Sequence, residues 1–357
     1  MVVNSIVQVL AIHPNGFNDE EWDADQISAN TSLTWPYIKS HRKGVSGKSW
    51  SIEGLSCNTC INEDVFAHNP DYGWIMSLIS KNPSISWAFI MRNLDKYAWD
   101  AKTLCSHPGI DWNQVIAHPE GILGVPWDMD LLSFNSSLMW RIVVDNPRGF
   151  GSNWNMSGVS LLLDIDWDFV REHRGINGKK WSMPHLSSNQ SLKWSFVMEH
   201  IDGLHGRFFD TFQLSGNSCI SLDYVASTPN GPDGNSWDIT ELSFNSALTD
   251  EFLSEHHTLH GKEWEVEILS RNNSITMNFI ISNRDRYEWD MEEMSVYRNI
   301  KDIIANLKNT TPPEDQLEWV FRAMSVNKTL TWEFVQRHIN EDWDLYYLSS
   351  IFSSDRS

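Results

Sequence analysis

Basic residues are scarce in this chain. Lysine and arginine number 27 against 47 aspartate and glutamate, a formal net charge of −20. A phosphate backbone needs a basic footprint, so this balance predicts no nucleic-acid partner. It argues equally against an anionic membrane surface. There are four cysteines. Cys57 and Cys60 form one C-x-x-C pair, but a tetrahedral zinc site needs a second pair, and none follows. With no disulfide framework, the thiols fit a reducing compartment. No apolar run approaches the ~18 residues that a membrane-spanning helix requires, so no membrane span is expected. The opening residues lack the charged start and unbroken apolar stretch of an export signal. Also missing are G-x-S-x-G, H-E-x-x-H and any glycine-rich phosphate loop. The chain therefore reads as no enzyme, with no cofactor and no catalytic, cofactor-binding or metal-binding residues.

Tryptophan is abundant, and all nineteen fall into two columns of one frame. Twelve open a unit: Trp22, Trp50, Trp74, Trp99, Trp127, Trp154, Trp181, Trp237, Trp264, Trp289, Trp319 and Trp343. Seven follow thirteen residues later: Trp35, Trp87, Trp112, Trp140, Trp167, Trp194 and Trp332. Phe209 fills the gap in the first column. Counting the opening residue as offset zero, offset five is always Ile, Leu, Val or Met, and offset six is Ser in twelve of thirteen units. Offset eight is Asn in nine units, and offset eleven is Ile or Leu in all twelve complete ones. Offset nineteen is His or Asn in ten of those twelve. A fixed internal spacing at such a period signals a stacked array.

The columns predict two short helices per unit. Asp23, Ser51, Asp100, Asp128, Asn155, Ser182, Asp238 and Asp290 suit N-caps of the first helix. Thr34, Ser86, Asp111, Asp166, Thr276 and Thr331 suit N-caps of the second. Apolar offsets thirteen, fifteen and sixteen share one helical face, as in Trp332, Phe334 and Val335. Asn at offset eight fits a left-handed helix end, and His or Asn at offset nineteen fits a helix terminus. The offset-six Ser admits a close neighbour and can bond a carbonyl one turn back. Segments after offset twenty vary in length and read as surface loops. Helices this short are marginal alone, so stability must come from stacking, with both indole columns as a continuous buried spine.

The remaining chemistry-bearing residues have framework explanations. Cys60 and Cys219 share the small-residue offset ten, and Cys105 replaces the Ser of offset six. His41, His118, His173, His200, His256 and His338 form the offset-nineteen column. His256, His257 and His260 beside Glu255 are the one arrangement with metal-ligand spacing, but they straddle a helix end and a loop. Asp164, Asp166, Glu341, Asp342 and Asp344 read as caps or solvated loops. Two units depart from the frame. The Phe209 unit carries Leu222 at offset thirteen and a Gly-Pro-rich loop from Thr228. The Trp289 unit carries Tyr297 and Asp302 and ends in a Thr-Thr-Pro-Pro-Glu-Asp stretch from Thr310.

These columns predict an all-α fold, an α-solenoid of ~27-residue helix-pair repeats. The array spans 1–357 as a single solenoid domain. Residues 1–21 are an N-terminal cap half-repeat, 22–342 twelve repeats, and 343–357 a C-terminal half-repeat with a polar tail. Units such as Trp74 to Asn93 (WIMSLISKNPSISWAFIMRN) and Trp319 to His338 (WVFRAMSVNKTLTWEFVQRH) resemble tandem-repeat proteins of giant nucleocytoplasmic large DNA viruses, mimivirus- and marseillevirus-like. Many of those carry Asn-Pro after the first helix, as Asn82-Pro83 does here. The resemblance implies a viral origin and a helical repeat, and it carries no activity. The expected function is a non-catalytic protein–protein interaction scaffold, binding through offsets three, four, seven, fourteen and seventeen. Its setting would be the virion, as a minor capsid or virion-associated component, with capsid proteins or copies of itself as partners. A host-directed adaptor in infected cytoplasm is the alternative, and a metal-binding or enzymatic protein the third.

Overall fold

In a computed structural model of the chain, residues 5–309 and 317–351 are described. The Thr310 stretch and the polar tail after Ile351 lie outside them. The fold is all-α, built from stacked helix pairs as expected. The chain forms two compact units, one from 1–110 together with 291–357, the other from 111–290.

A typical repeat pairs Ala24–Ala29 with Trp35–Ser40, or Thr211–Gly216 with Leu222–Ser227. Many starts have a local cause. Asp23, Ser51, Asp100, Asp128, Asn155 and Asp238 accept a backbone N–H of the first turn, which satisfies an otherwise orphaned donor. Ser86, Asp111, Asp166, Thr276 and Thr331 do the same for second helices. Thr34 and Ser182 start helices without this bond. The Trp289 unit is longer: its helices run Met291–Tyr297 and Ile300–Asn309.

Three columns lock one repeat to the next. The offset-six Ser is the first. Its hydroxyl donates to a carbonyl one turn back, as from Ser28 to Ala24 and from Ser215 to Thr211. It also accepts the offset-one N–H of the following repeat, in twelve bonds of 2.8 to 3.2 Å. The offset-eight Asn is the second. Asn58, Asn82, Asn217, Asn245 and Asn272 each donate both amide hydrogens to the offset-six and offset-eight carbonyls of the preceding repeat. Their side-chain oxygens accept the offset-ten N–H of their own repeat. These asparagines are not left-handed, contrary to expectation. Asn58, Asn217 and Asn245 have φ of −74°, −86° and −64° in extended backbone, so the residue is selected by its three bonds in a buried ladder.

The opening Trp is the third. In ten repeats its indole N–H donates, at 2.6 to 2.9 Å, to the backbone carbonyl of the offset-nineteen residue before it. That carbonyl ends a helix, and in most repeats it also accepts a backbone N–H of the following turn, as His41 does from Gly44 and Asn146 from Gly149. The offset-nineteen side chains bond back to the helix, as His41 does to Tyr37 and Asn93 to Phe89. None of these caps is left-handed; His41 and Asn146 have φ of −117° and −127°.

The two indole columns differ in burial. First-column rings are buried, from Trp22 and Trp237 to Trp343, with Trp289 half-buried and Phe209 fully enclosed. In the second column Trp87, Trp112 and Trp332 are buried, but Trp35, Trp140, Trp167 and Trp194 are half-buried. The expected double spine is therefore one buried column and one partly open one. The open rings lean on the next repeat's offset-fifteen aromatic: Trp140 on Phe169, Trp167 on Phe196 and Trp194 on Tyr224, with centroids 5.0 to 5.2 Å apart.

Several segments expected as plain loops are tight hairpins. Gly175–Ile176 pairs antiparallel with Lys179–Lys180, and Thr258–Leu259 with Lys262–Glu263. Isolated bridges at Val45–Lys48, Ile122–Val125 and Leu204–Arg207 have the same spacing. The turn between Ile176 and Lys179 needs two left-handed residues, and Asn177 and Gly178 have φ of +46° and +74°, which those residue types tolerate.

The terminal half-units do not cap separate ends; they complete one another. In the unit containing both termini, Leu345–Ile351 is a first helix and Ile6–Ile12 a second helix. Asp23 N–H donates to Ser349 Oγ at 3.1 Å and Asn30 Nδ2 to the Ser349 carbonyl at 2.9 Å. These are the same bonds that join Ser51 and Asn58 to Ser28 elsewhere. His13 and Phe17 pack on Trp332 at 5.6 and 6.1 Å. Reading along the chain cannot show that its ends are neighbours.

Candidate functional surface

The residues with catalytic or metal-binding chemistry are held in framework roles. Cys60 and Cys219 fill offset ten, donating backbone N–H to Asn58 and Asn217. Burial pushes their thiols up to about 12 and about 11, which suppresses the nucleophilic thiolate. Cys105 Sγ takes the Ser position and points at the Ala101 carbonyl. The three histidines do not converge. His256 packs on Phe252, His257 Nδ1 contacts the Leu253 carbonyl, and His260 Nε2 contacts the Val225 carbonyl. Among the described residues, no group of three or more His, Cys, Asp or Glu is placed to hold a metal ion.

The acidic candidates are similar. Asp164 Oδ2 accepts the Trp140 N–H, and Asp166 caps its own helix. Asp342 and Asp344 converge with Glu20 on Arg322 at 3.0 to 3.5 Å, so they belong to the joint between the termini. Glu341 joins there through its carbonyl, which accepts from Asn18 Nδ2. The Gly-Pro-rich loop after Thr228 folds back on its own repeat. Asp233 accepts the Thr211 N–H at 3.2 Å and the Asn235 N–H at 3.0 Å. Burial pushes its carboxyl up, but the hydrogen bonds from Thr211 and Asn235 outweigh that and hold it below the usual carboxylate range.

One histidine belongs to the asparagine column. His107 occupies offset eight, the Asn position; its Nε2 lies 2.9 Å from the Ile85 carbonyl, and its Nδ1 accepts the Gly109 N–H at 3.0 Å. It thus imitates the asparagine ladder, but only with the proton on Nε2. Burial lowers its affinity for a second proton, opposed in part by the Ile85 and Asn82 carbonyls. With the folded-state pKa below the unfolded one, stability is fully present above the unfolded value of 6.5 and is lost as pH falls through the folded value. Melting temperature should therefore drop as pH falls below neutrality. His107→Asn should flatten part of that slope, leaving a share from His200, which burial and the Arg171 charge shift the same way. An unchanged thermal-denaturation pH profile in His107→Asn would refute the assignment.

What the framework leaves to solvent is the outer side of the first helices, at offsets three and seven. In the 111–290 unit offset seven carries Phe134, Leu161 and Phe244, 52%, 36% and 57% exposed, alongside Ser188, Gly216 and Arg271, and offset three carries Phe212, 51% exposed. In the other unit offset seven holds Ala29, Cys57, Lys81, Ser106, Val296, Val326 and Ser350, and offset three includes Tyr346, 48% exposed. On the second-helix side, Trp167 and Phe196 border a cavity of ≈ 200 Å³ with Arg171 and Glu199. Arg171 is already paired there, with Asp168 at 2.8 Å and Glu199 at 3.4 Å.

A uniform buried framework with a varied outer face defines a helical repeat protein. No protein-family model, curated protein or solved structure matches the chain. No helix among the described residues is long and apolar enough to cross a membrane.

Proposed function

We propose that this protein is a non-catalytic protein–protein interaction scaffold. One observation carries the reading: the repeats share the same Ser, Asn and Trp bonds, while their exposed first-helix positions differ from repeat to repeat. Asp130, Pro184, Phe212 and Glu267 all occupy offset three. A framework that holds register while its surface varies can display a long, specific binding face. Titratable groups at the core serve the ladder and caps, and this supports a role without catalysis.

The favoured setting is a giant-virus particle, as a minor capsid or virion-associated component, on the strength of the repeat's resemblance. The other setting is an adaptor in infected cytoplasm. Mass spectrometry of purified particles separates them: stoichiometric copies are expected for the first, and absence would overturn it. Cross-linking in the native setting should recover proteins attached to offset-three and offset-seven positions. Links confined to other surfaces would overturn the scaffold face.

A further inference from the structure

We propose that the joint between the helices Leu345–Ile351 and Ala24–Ala29 is an exchange site for a second copy of this chain. Segment 291–351 of one copy stacks on segment 5–110 of another, and the reverse, so that a dimer forms with two inter-chain joints. Exchange of this kind needs no outside partner.

The joint is made by two unlike faces that fit each other. Ser349 offers its hydroxyl and carbonyl to the Asp23 N–H and the Asn30 amide, at 3.1 and 2.9 Å. Glu20 Oε2 accepts the Leu345 N–H at 2.9 Å. Asn18 Nδ2 donates to the Ile339 and Glu341 carbonyls at 2.7 and 3.0 Å, and Gln26 Nε2 to the Tyr346 hydroxyl at 3.0 Å. All six bonds join residues 319 to 326 positions apart. Between Ser28 and Ser51 the same kind of contact is backed by continuous chain only 23 residues long. Here, among the described residues, no backbone passes directly from one face to the other. Cohesion at this joint is non-covalent, and a second copy presents the same groups at the same spacing.

An opened joint does not persist. Ser349 and Asn30 are 0% and 2% exposed, and Leu345, Leu348 and Ile27 are fully enclosed. Opening would strand those polar groups and wet those side chains. An opened chain therefore closes again, on itself or on a neighbour. Closure within one chain does not depend on concentration, whereas pairing between chains does, so the dilute protein is a monomer. Two unlike faces on each copy make the contact heterologous, and reciprocal exchange closes it at two chains.

The charges at the joint supply the test. Arg322 lies 3.5 Å from Glu20 on one face, and 3.4 and 3.0 Å from Asp342 and Asp344 on its own. Arg322→Glu brings four carboxylates together and should melt several degrees below the parent. Glu20→Lys moves a positive charge to the opposite face. Mixed in equal amounts, with one variant labelled with heavy nitrogen, the lysine of one chain can face the three carboxylates of the other. Native mass spectrometry should show dimers of mixed mass, at least about tenfold more abundant than dimers of either variant alone, and the melting temperature should recover. Both substitutions in one chain should restore the melting temperature without dimers. A second measurement covers a variant that fails to fold: parent chains of normal and heavy mass, concentrated and taken together to the denaturant midpoint and back, should also yield mixed dimers. Monomers alone in both experiments would overturn the proposal. So would dimers as abundant in the single variants, or in the doubly substituted chain, as in the mixture, because the contact would then lie outside the joint.

Discussion

Replacing Trp237 by alanine is expected to destabilise the 111–290 unit by about 3–5 kcal/mol, the usual range for removing a buried aromatic side chain. The ring is 2% exposed, donates to the Thr228 carbonyl at 2.7 Å and meets the Tyr224 ring edge-on. The loss combines transfer free energy, an unfilled void and an orphaned helix-end carbonyl. At roughly 2–4 °C per kcal/mol for a unit of this size, the melting temperature should fall by about 10 °C or more. Trp237→Phe is the informative companion. Phe209 fills the same column and is fully buried, so a phenyl ring fits, and the expected deficit is nearer the ~1 kcal/mol of the missing bond plus a partial void. Because each repeat buries its neighbour, hydrogen exchange in the alanine variant should quicken on both sides of the site. A deficit below about 1 kcal/mol for alanine would contradict the idea that these rings bind the layers together.

Asn245→Ala should have a comparable effect without removing much apolar area. The side chain is buried; it donates to the Ser215 and Asn217 carbonyls at 2.7 and 3.1 Å and accepts from the Ala247 N–H at 2.8 Å. Alanine strands the Ser215 carbonyl and the Ala247 N–H where water has little access, at about 1–3 kcal/mol each, while the Asn217 carbonyl keeps the Ile220 N–H at 3.2 Å. Relaxation recovers part of this, so about 3 kcal/mol is expected from chemical denaturation. Asn245→Asp sharpens the test. A carboxylate would face two carbonyl oxygens and favour its protonated form, so this variant's deficit should shrink as pH falls. A pH-independent deficit in Asn245→Asp would mean that the amide hydrogens do not hold those carbonyls.

Most of the framework was legible because periodicity exposes it. The Ser column announced a close approach, and the hydroxyl bonds back as its spacing suggested; its second partner, on the next repeat, is invisible until the repeats are stacked. The Asn column was recognised but misread. A helix-ending asparagine suits a left-handed turn, and nothing local distinguishes that from an extended residue whose amide reaches across to another repeat. His107 sat in the same column unrecognised, because imidazole and carboxamide look unrelated until both are seen offering an N–H and a ring or carbonyl acceptor. The half-open indoles Trp140, Trp167 and Trp194 occupy the same offset as buried Trp112 and each opens a second helix, so their exposure is not written in the spacing. The hairpins carried a signal in the recurring glycine spacing of Gly175-Ile-Asn-Gly and Gly203-Leu-His-Gly, hidden by variable loop length. The exposed apolar residues could be anticipated as variable positions, but only burial showed that Phe134 and Phe244 stay in solvent.

The repeat shared between Leu345–Ile351 and Ile6–Ile12 has a consequence for how this polypeptide can be made. Elsewhere a short turn links the two helices of a pair, as between Ala29 and Trp35. Joining Ile351 to Ser5 by such a turn and cutting the backbone anew at an exposed tip such as Gly47 would preserve every interlayer bond described for that unit. The order in which these helices are strung along the polypeptide is thus separable from the order in which they stack, and circular permutation at that seam should leave the stacking of the unit intact.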